Sequence, residues 1–210
     1  MSAPRQPILQ RSTFTNPRTP PGALVWMLAA VAVLWVVQLV NSAHRLTEYG
    51  LIPRDATGLR GVVLQPFLHA DWQHLISNSV PLLLIGWAVL MAGVRTWWLV
   101  TAVVILLGGI LTWLVAPGNQ VIVGASGVVF GYLGYLLARA LFSRELRSIV
   151  IGVVVLVFFG TLLSGLLPTV PNGVSWQAHA CGFVAGVAAA ALLHDPRGGP
   201  GLLGPGRAVR

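Results

Sequence analysis

The absence of charge over long stretches is what most limits the folds open to this chain. No Asp, Glu, Lys or Arg lies between Asp71 and Arg95, or between Arg147 and Asp195. A soluble domain carries about 25% charged residues, whereas this 210-residue chain carries 9% and is 56% hydrophobic. With a mean hydropathy of +0.80, the chain is expected to cross a lipid bilayer several times.

Six apolar runs are long enough to do so, at about 23–40, 74–91, 97–115, 126–142, 149–167 and 177–193. Eighteen residues of helix span roughly 27 Å, close to a hydrocarbon thickness of about 30 Å. The first run competes with a cleaved signal peptide, whose apolar core is about 7–15 residues and ends at small residues. This run is longer and is followed by Asn41-Ser42-Ala43, a poor cleavage site, so it reads as a retained helix. Trp97-Trp98 opens the third run as an interfacial anchor. The fold class expected is an all-α membrane protein with six transmembrane helices and a long first loop on the outer side.

That loop, residues 41–73, is too polar to span yet holds Leu51-Ile52-Pro53 and Val62-Val63-Leu64. These clusters predict that it folds back and lies partly in the interface. Residues 1–21 and 194–210, rich in Pro, Gly and polar groups, are expected to be disordered tails around one domain at 22–193.

Arginine placement orients the spans. Arg5, Arg11, Arg18, Arg95, Arg139, Arg144, Arg147, Arg197, Arg207 and Arg210 fall on one side; only Arg45, Arg54 and Arg60 fall on the other. The positive-inside rule makes the first side cytoplasmic, with both termini on it. The formal charge of +8 does not imply nucleic acid, because the arginines are scattered among connections and tails and form no stripe. All 13 basic residues are arginine, a usage that fits a GC-rich bacterial genome and hence a bacterial plasma membrane. The single cysteine, Cys181, excludes an intrachain disulfide and reads as a small packed residue.

With this orientation the second, fourth and sixth helices all begin at the outer face, and each begins with a polar side chain. Ser126 stands in Gly124-Ala125-Ser126-Gly127. By itself such a serine is most simply a helix N-cap; flanking glycines also let backbone N–H groups approach a substrate oxygen. His179 opens the sixth helix, and ionisable groups are costly inside a membrane. Gly127 and Gly131 line one helical face, Gly182 and Gly186 another. Docking these two faces would bring Ser126 and His179 within hydrogen-bond range. His74 and Asn78, four residues apart, share a face of the second helix and can donate hydrogen bonds toward developing negative charge. Two other readings stand beside this one: a zinc site from His69, His74 and His179, which lacks an acid and a known ligand spacing, and a structural polar network between helices.

Taken together the blocks resemble the rhomboid family of intramembrane serine proteases. They are Phe67-Leu68-His69-Ala70-Asp71-Trp72-Gln73-His74-Leu75-Ile76-Ser77-Asn78, then Gly124-Ala125-Ser126-Gly127, then Ala178-His179 with Gly182 and Gly186. The resemblance implies a six-helix rhomboid-like bundle and a Ser–His dyad without a third carboxylate. It gives Ser126 as nucleophile and His179 as base, with His74, Asn78 and the Ser126 N–H as the oxyanion hole and His69 as support. No metal and no cofactor is implied. Phe130, one turn beyond Ser126, is the expected stacking partner of the imidazole. The adjacent Trp-Arg pair that some members carry in the first loop is absent. Substrates would be transmembrane helices of other proteins, entering beside the fifth helix and the Pro168, Pro171 and Gly173 break. The rivals are a catalytically silent rhomboid-like module that binds membrane proteins, and a small transporter or scaffold.

Overall fold

The computed structural model describes residues 13–14, 16–143, 145–169 and 173–194. Most of the two expected tails, together with Arg144 and Pro171, lies outside those residues. Six helices among the described residues are long and apolar enough to cross a membrane: α1 Pro20–His44, α2 Trp72–Leu90, α3 Val94–Val115, α4 Ser126–Ser143, α5 Leu146–Leu166 and α6 Trp176–Leu193. The chain is a multi-pass membrane protein.

Helix starts are set by caps that lie outside the apolar runs, and this moves several expected boundaries. Thr19 caps α1 by accepting from the Gly22 N–H, with Pro20 and Pro21 in the first turn, so two residues assigned to the tail are helical. Asp71 accepts from the His74 N–H at 2.8 Å and starts α2 two residues before the expected point. Ser175 does the same for α6 through the Ala178 N–H. Each such cap contributes about 1 kcal/mol.

α4 is the axis of the bundle, with 56% of its span buried, against 22% for α1 and 11% for α5. Tyr132, Leu133 and Tyr135 on α4 are essentially inaccessible. α3 is not uniform: Val104–Gly108 forms a π-turn between two α-helical segments. α5 ends differently again, its last seven residues, Gly160–Leu166, winding as 3₁₀-helix.

The first loop does fold back. It forms short helical turns at Leu46–Tyr49, Ala56–Arg60, Gly61–Leu64 and Gln65–Phe67. Leu51 pairs with Ile122 through two backbone hydrogen bonds of 2.9 and 2.8 Å, which ties the loop to the segment just before Ser126. Leu51 and Val62 are buried, whereas Val63 and Leu64 stay exposed. Arg54 fastens the loop to the end of α3. Its guanidinium donates to the carbonyls of Leu114 at 3.1 Å and Ala116 at 2.6 Å, the free acceptors at the end of α3. Its backbone N–H donates to Trp113 O, and the Trp113 indole donates to Asp55 O. Arg54→Ala is expected to lose about 1.5 kcal/mol, the low end for hydrogen bonds made by a charged group. The readout is a lower thermal midpoint with faster proteolytic nicking within 41–73; Arg54→Lys, lacking the fork, restores little.

Candidate active site

Ser126 is held by the backbone before it. Gly124 sits at φ +119°, a conformation that side chains rarely adopt, and donates its N–H to Gln65 O at 2.8 Å. A Cβ there would also lie 2.7 Å from the His74 ring, so the position is closed to any other residue twice over. The Ala125 N–H donates to His69 Nε2 at 3.3 Å, and the Ala125 carbonyl takes the first bonds of the helix, from the N–H groups of Val128 and Val129. Ser126 is therefore the first helical residue and not an N-cap. Its N–H is one of the helix-start donors with no acceptor within the helix, and its hydroxyl is free for another partner.

That partner is the imidazole of His179. Ser126 Oγ lies 2.9 Å from His179 Nε2. His179 Nδ1 lies 2.9 Å from the carbonyl oxygen of Gly165. A carbonyl can only accept, so Nδ1 carries the proton and Nε2 presents a lone pair to the serine O–H. The ring is stacked on Phe130, with centroids 4.2 Å apart and planes 13° from parallel. His179 is buried and Ser126 half-buried, so the hydroxyl is reachable while its partner is shielded.

His74 and Asn78 border the same spot from α2. Asn78 is buried and donates one amide hydrogen to His74 O at 2.8 Å, which leaves its second hydrogen unassigned to that bond. His69 is fully buried beneath them, edge-on to His74 with centroids 5.2 Å apart. Burial first, and the neighbouring His74 second, push its pKa down to about 4. It is therefore neutral at physiological pH, as its acceptor role toward Ala125 requires. Its backbone carbonyl accepts from Asn41 Nδ2 at 2.9 Å, linking the loop to α1. The histidines do not converge as metal ligands: His179 uses both ring nitrogens and His69 uses Nε2 on protein partners.

A family model described as the Rhomboid domain matches residues 56–196, which contain His69, His74, Asn78, Ser126, Phe130, Gly165 and His179. The chain belongs to the rhomboid family. A similar protein of Mycobacterium tuberculosis strain H37Rv, named only as uncharacterised, is 42% identical over 202 residues, covering 92% of this chain and 83% of its own length. A Mycobacterium leprae protein, also named as uncharacterised, is 39% identical over 199 residues, 88% of this chain and 77% of its own. A Bacillus subtilis protein, provisionally named rhomboid protease YdcA, is 30% identical over 176 residues, 78% of this chain and 84% of its own.

The rhomboid core brings α4 and α6 together by glycine, though not face to face as expected. A Cβ on Gly182 would strike the Gly127 carbonyl, and one on Gly186 the Gly131 carbonyl. Gly127 itself has room, with Ala178 O at 3.5 Å from a Cβ placed there, and Gly131 turns its open side to Val104 of α3. The intimate contact thus comes from α6 glycines seated on α4 carbonyls, and Gly134 of α4 reciprocates against the Phe183 carbonyl. Gly134 and Gly165 were not foreseen as site elements. For Gly165 the only hint was a glycine near the end of an otherwise apolar run.

Proposed function

We propose that this rhomboid is an intramembrane serine endopeptidase that cleaves transmembrane segments of other proteins near the outer membrane surface. The observation that carries the reading is the 2.9 Å approach of Ser126 Oγ to His179 Nε2, with the second imidazole nitrogen already engaged. Ser126 Oγ attacks the peptide carbonyl carbon as its proton passes to His179 Nε2. The resulting oxyanion is stabilised by donors from the Ser126 N–H, Asn78 and His74. His179 then protonates the departing amine, leaving an acyl-serine. Water, deprotonated by the same nitrogen, attacks the acyl carbon and releases Ser126.

A helical peptide bond is shielded by its own hydrogen bonds, so the substrate must unwind before it reaches Ser126. Helix-weakening residues near the cleaved bond and small residues at it suit this requirement. The shallow burial of α5 supports entry on that side. Arg95, Arg139 and Arg147 at the opposite end from Ser126 support an outward-facing site with cytoplasmic termini, in the plasma membrane of a bacterium.

The direct test is a fluorophosphonate read by intact mass. A single adduct on Ser126, absent in Ser126→Ala and His179→Ala, is expected; no adduct on the folded wild type leaves a rhomboid-like binding module. Asn78→Ala is expected to cleave a single-span substrate roughly 10²–10³ times more slowly than wild type, the usual loss for one oxyanion donor, with its thermal midpoint little changed.

A further inference from the structure

Resting on the dyad reading, we propose that the end of α5 takes the place of the carboxylate in a three-membered triad, with Gly165 as the positioning residue for His179. In a Ser–His–Asp arrangement the carboxylate fixes the imidazole tautomer and favours the imidazolium that forms during attack. The Gly165 carbonyl can serve both purposes. α5 ends at Leu166, so this carbonyl lies among the last acceptors of the helix, which have no onward partner in it. The Leu167 N–H closes on the Ser164 carbonyl instead, at 3.1 Å. Gly165 O is thereby left to the imidazole, 2.9 Å from Nδ1. A helix C-terminus carries partial negative charge, which favours a cation at that nitrogen without burying a carboxylate in a membrane.

The residue type fits the task. A Cβ at position 165 would lie 2.8 Å from Phe130 Cζ and 3.3 Å from His179 Nδ1, so only glycine lets the backbone approach this closely. The element also sets a condition on the base. α5 is the least buried span. At its cytoplasmic end Arg139 of α4 reaches Ser148 Oγ at 3.3 Å and Glu145 at 3.8 Å, a clasp between the two helices. The base-ready tautomer therefore holds only while the far end of α5 is seated on His179, and a displacement of that end withdraws the acceptor.

The test replaces Leu166 by its α-hydroxy acid, which turns the 165–166 amide into an ester and weakens the Gly165 carbonyl as an acceptor without adding an atom. The same change at Leu163 is the control, since it costs a comparable 3₁₀ bond but leaves Gly165 O as an amide. Fluorophosphonate labelling at Ser126 is expected to slow about tenfold or more with the ester at 166, part of the roughly 10²–10⁴ that a positioned base contributes. Nitrogen-15 spectra of His179 should show Nδ1 protonated in wild type and a mixture of tautomers in that variant. Gly165→Ala should behave likewise, and Gly160→Ala, whose Cβ meets only the Leu156 side chain from 3.5 Å outward, should not. Equal labelling rates for the two esters with an unchanged tautomer would overturn the proposal while leaving the dyad intact. A wild type that takes no label would remove the dyad reading and the proposal with it.

Discussion

Ser126→Ala is expected to lower cleavage of a single-span substrate by at least about 10³-fold while the protein still folds. Among the described residues, the Ser126 hydroxyl is the one in hydrogen-bond contact with an imidazole, His179 Nε2, at 2.9 Å. Its removal leaves His179 Nε2 without its partner, a cost of about 1 kcal/mol, too little to unfold a bundle of six spans. His179→Ala should fall to a similar rate. The double substitution should be no worse than either single one, because groups that act as a unit lose their effect together. Substantial cleavage by His179→Ala, measured in the same proteoliposomes, would mean that the short contact with Ser126 has no part in the reaction.

Gly186→Val is expected to cost about 3 kcal/mol or more, the upper range for overpacking a core. The first atom added would collide with the Gly131 carbonyl and lie 2.9 Å from the Tyr135 nitrogen. Both are backbone atoms of a buried helix and cannot rotate away. The two helices must part, which also separates Ser126 on one from His179 on the other, so hydrolysis should fall along with the thermal midpoint. Gly186→Ala already adds the offending carbon and should show most of the loss. Gly127→Ala, where the same carbon has ordinary contacts, should lose well under 1 kcal/mol. If Gly186→Ala melts with wild type, the carbonyl seat described for α6 is wrong.

Much of the bundle was legible because a bilayer imposes its own length scale. Six apolar runs, five of them free of charge, matched six helices long enough to span a membrane. The starts were misplaced by one to three residues because Thr19, Asp71 and Ser175 are polar caps and lie outside a hydropathy signal. The meeting of Ser126 and His179 was legible from glycines at fixed spacing, but which glycine faced which neighbour was not. Spacing identifies a small-residue face without stating whether its hydrogens or its carbonyls make the contact. The partner of His179 Nδ1 was hidden for a more basic reason. It is a main-chain oxygen, and every residue has one. Arg54 was hidden because its acceptors are the carbonyls of a helix end about 60 residues away. The π-turn in α3 leaves no mark in the sequence at all.

That wide turn has a structural consequence. Val104–Gly108 takes the wider π-helical form, so the helix beyond it is swivelled relative to a regular one. The two adjacent glycines at its end, which as neighbours on a helix do not share a face, serve different partners: Gly108 faces Gly182 and Ala185 of α6, Gly109 faces Val62 of the loop. The inner half of α3 can thus keep phase with the bundle while the outer half is phased to the loop that Arg54 fastens to it. One span reconciles two packing registers, and the loop supporting Ser126 is aligned to the helices without either surface having to be cut for the other.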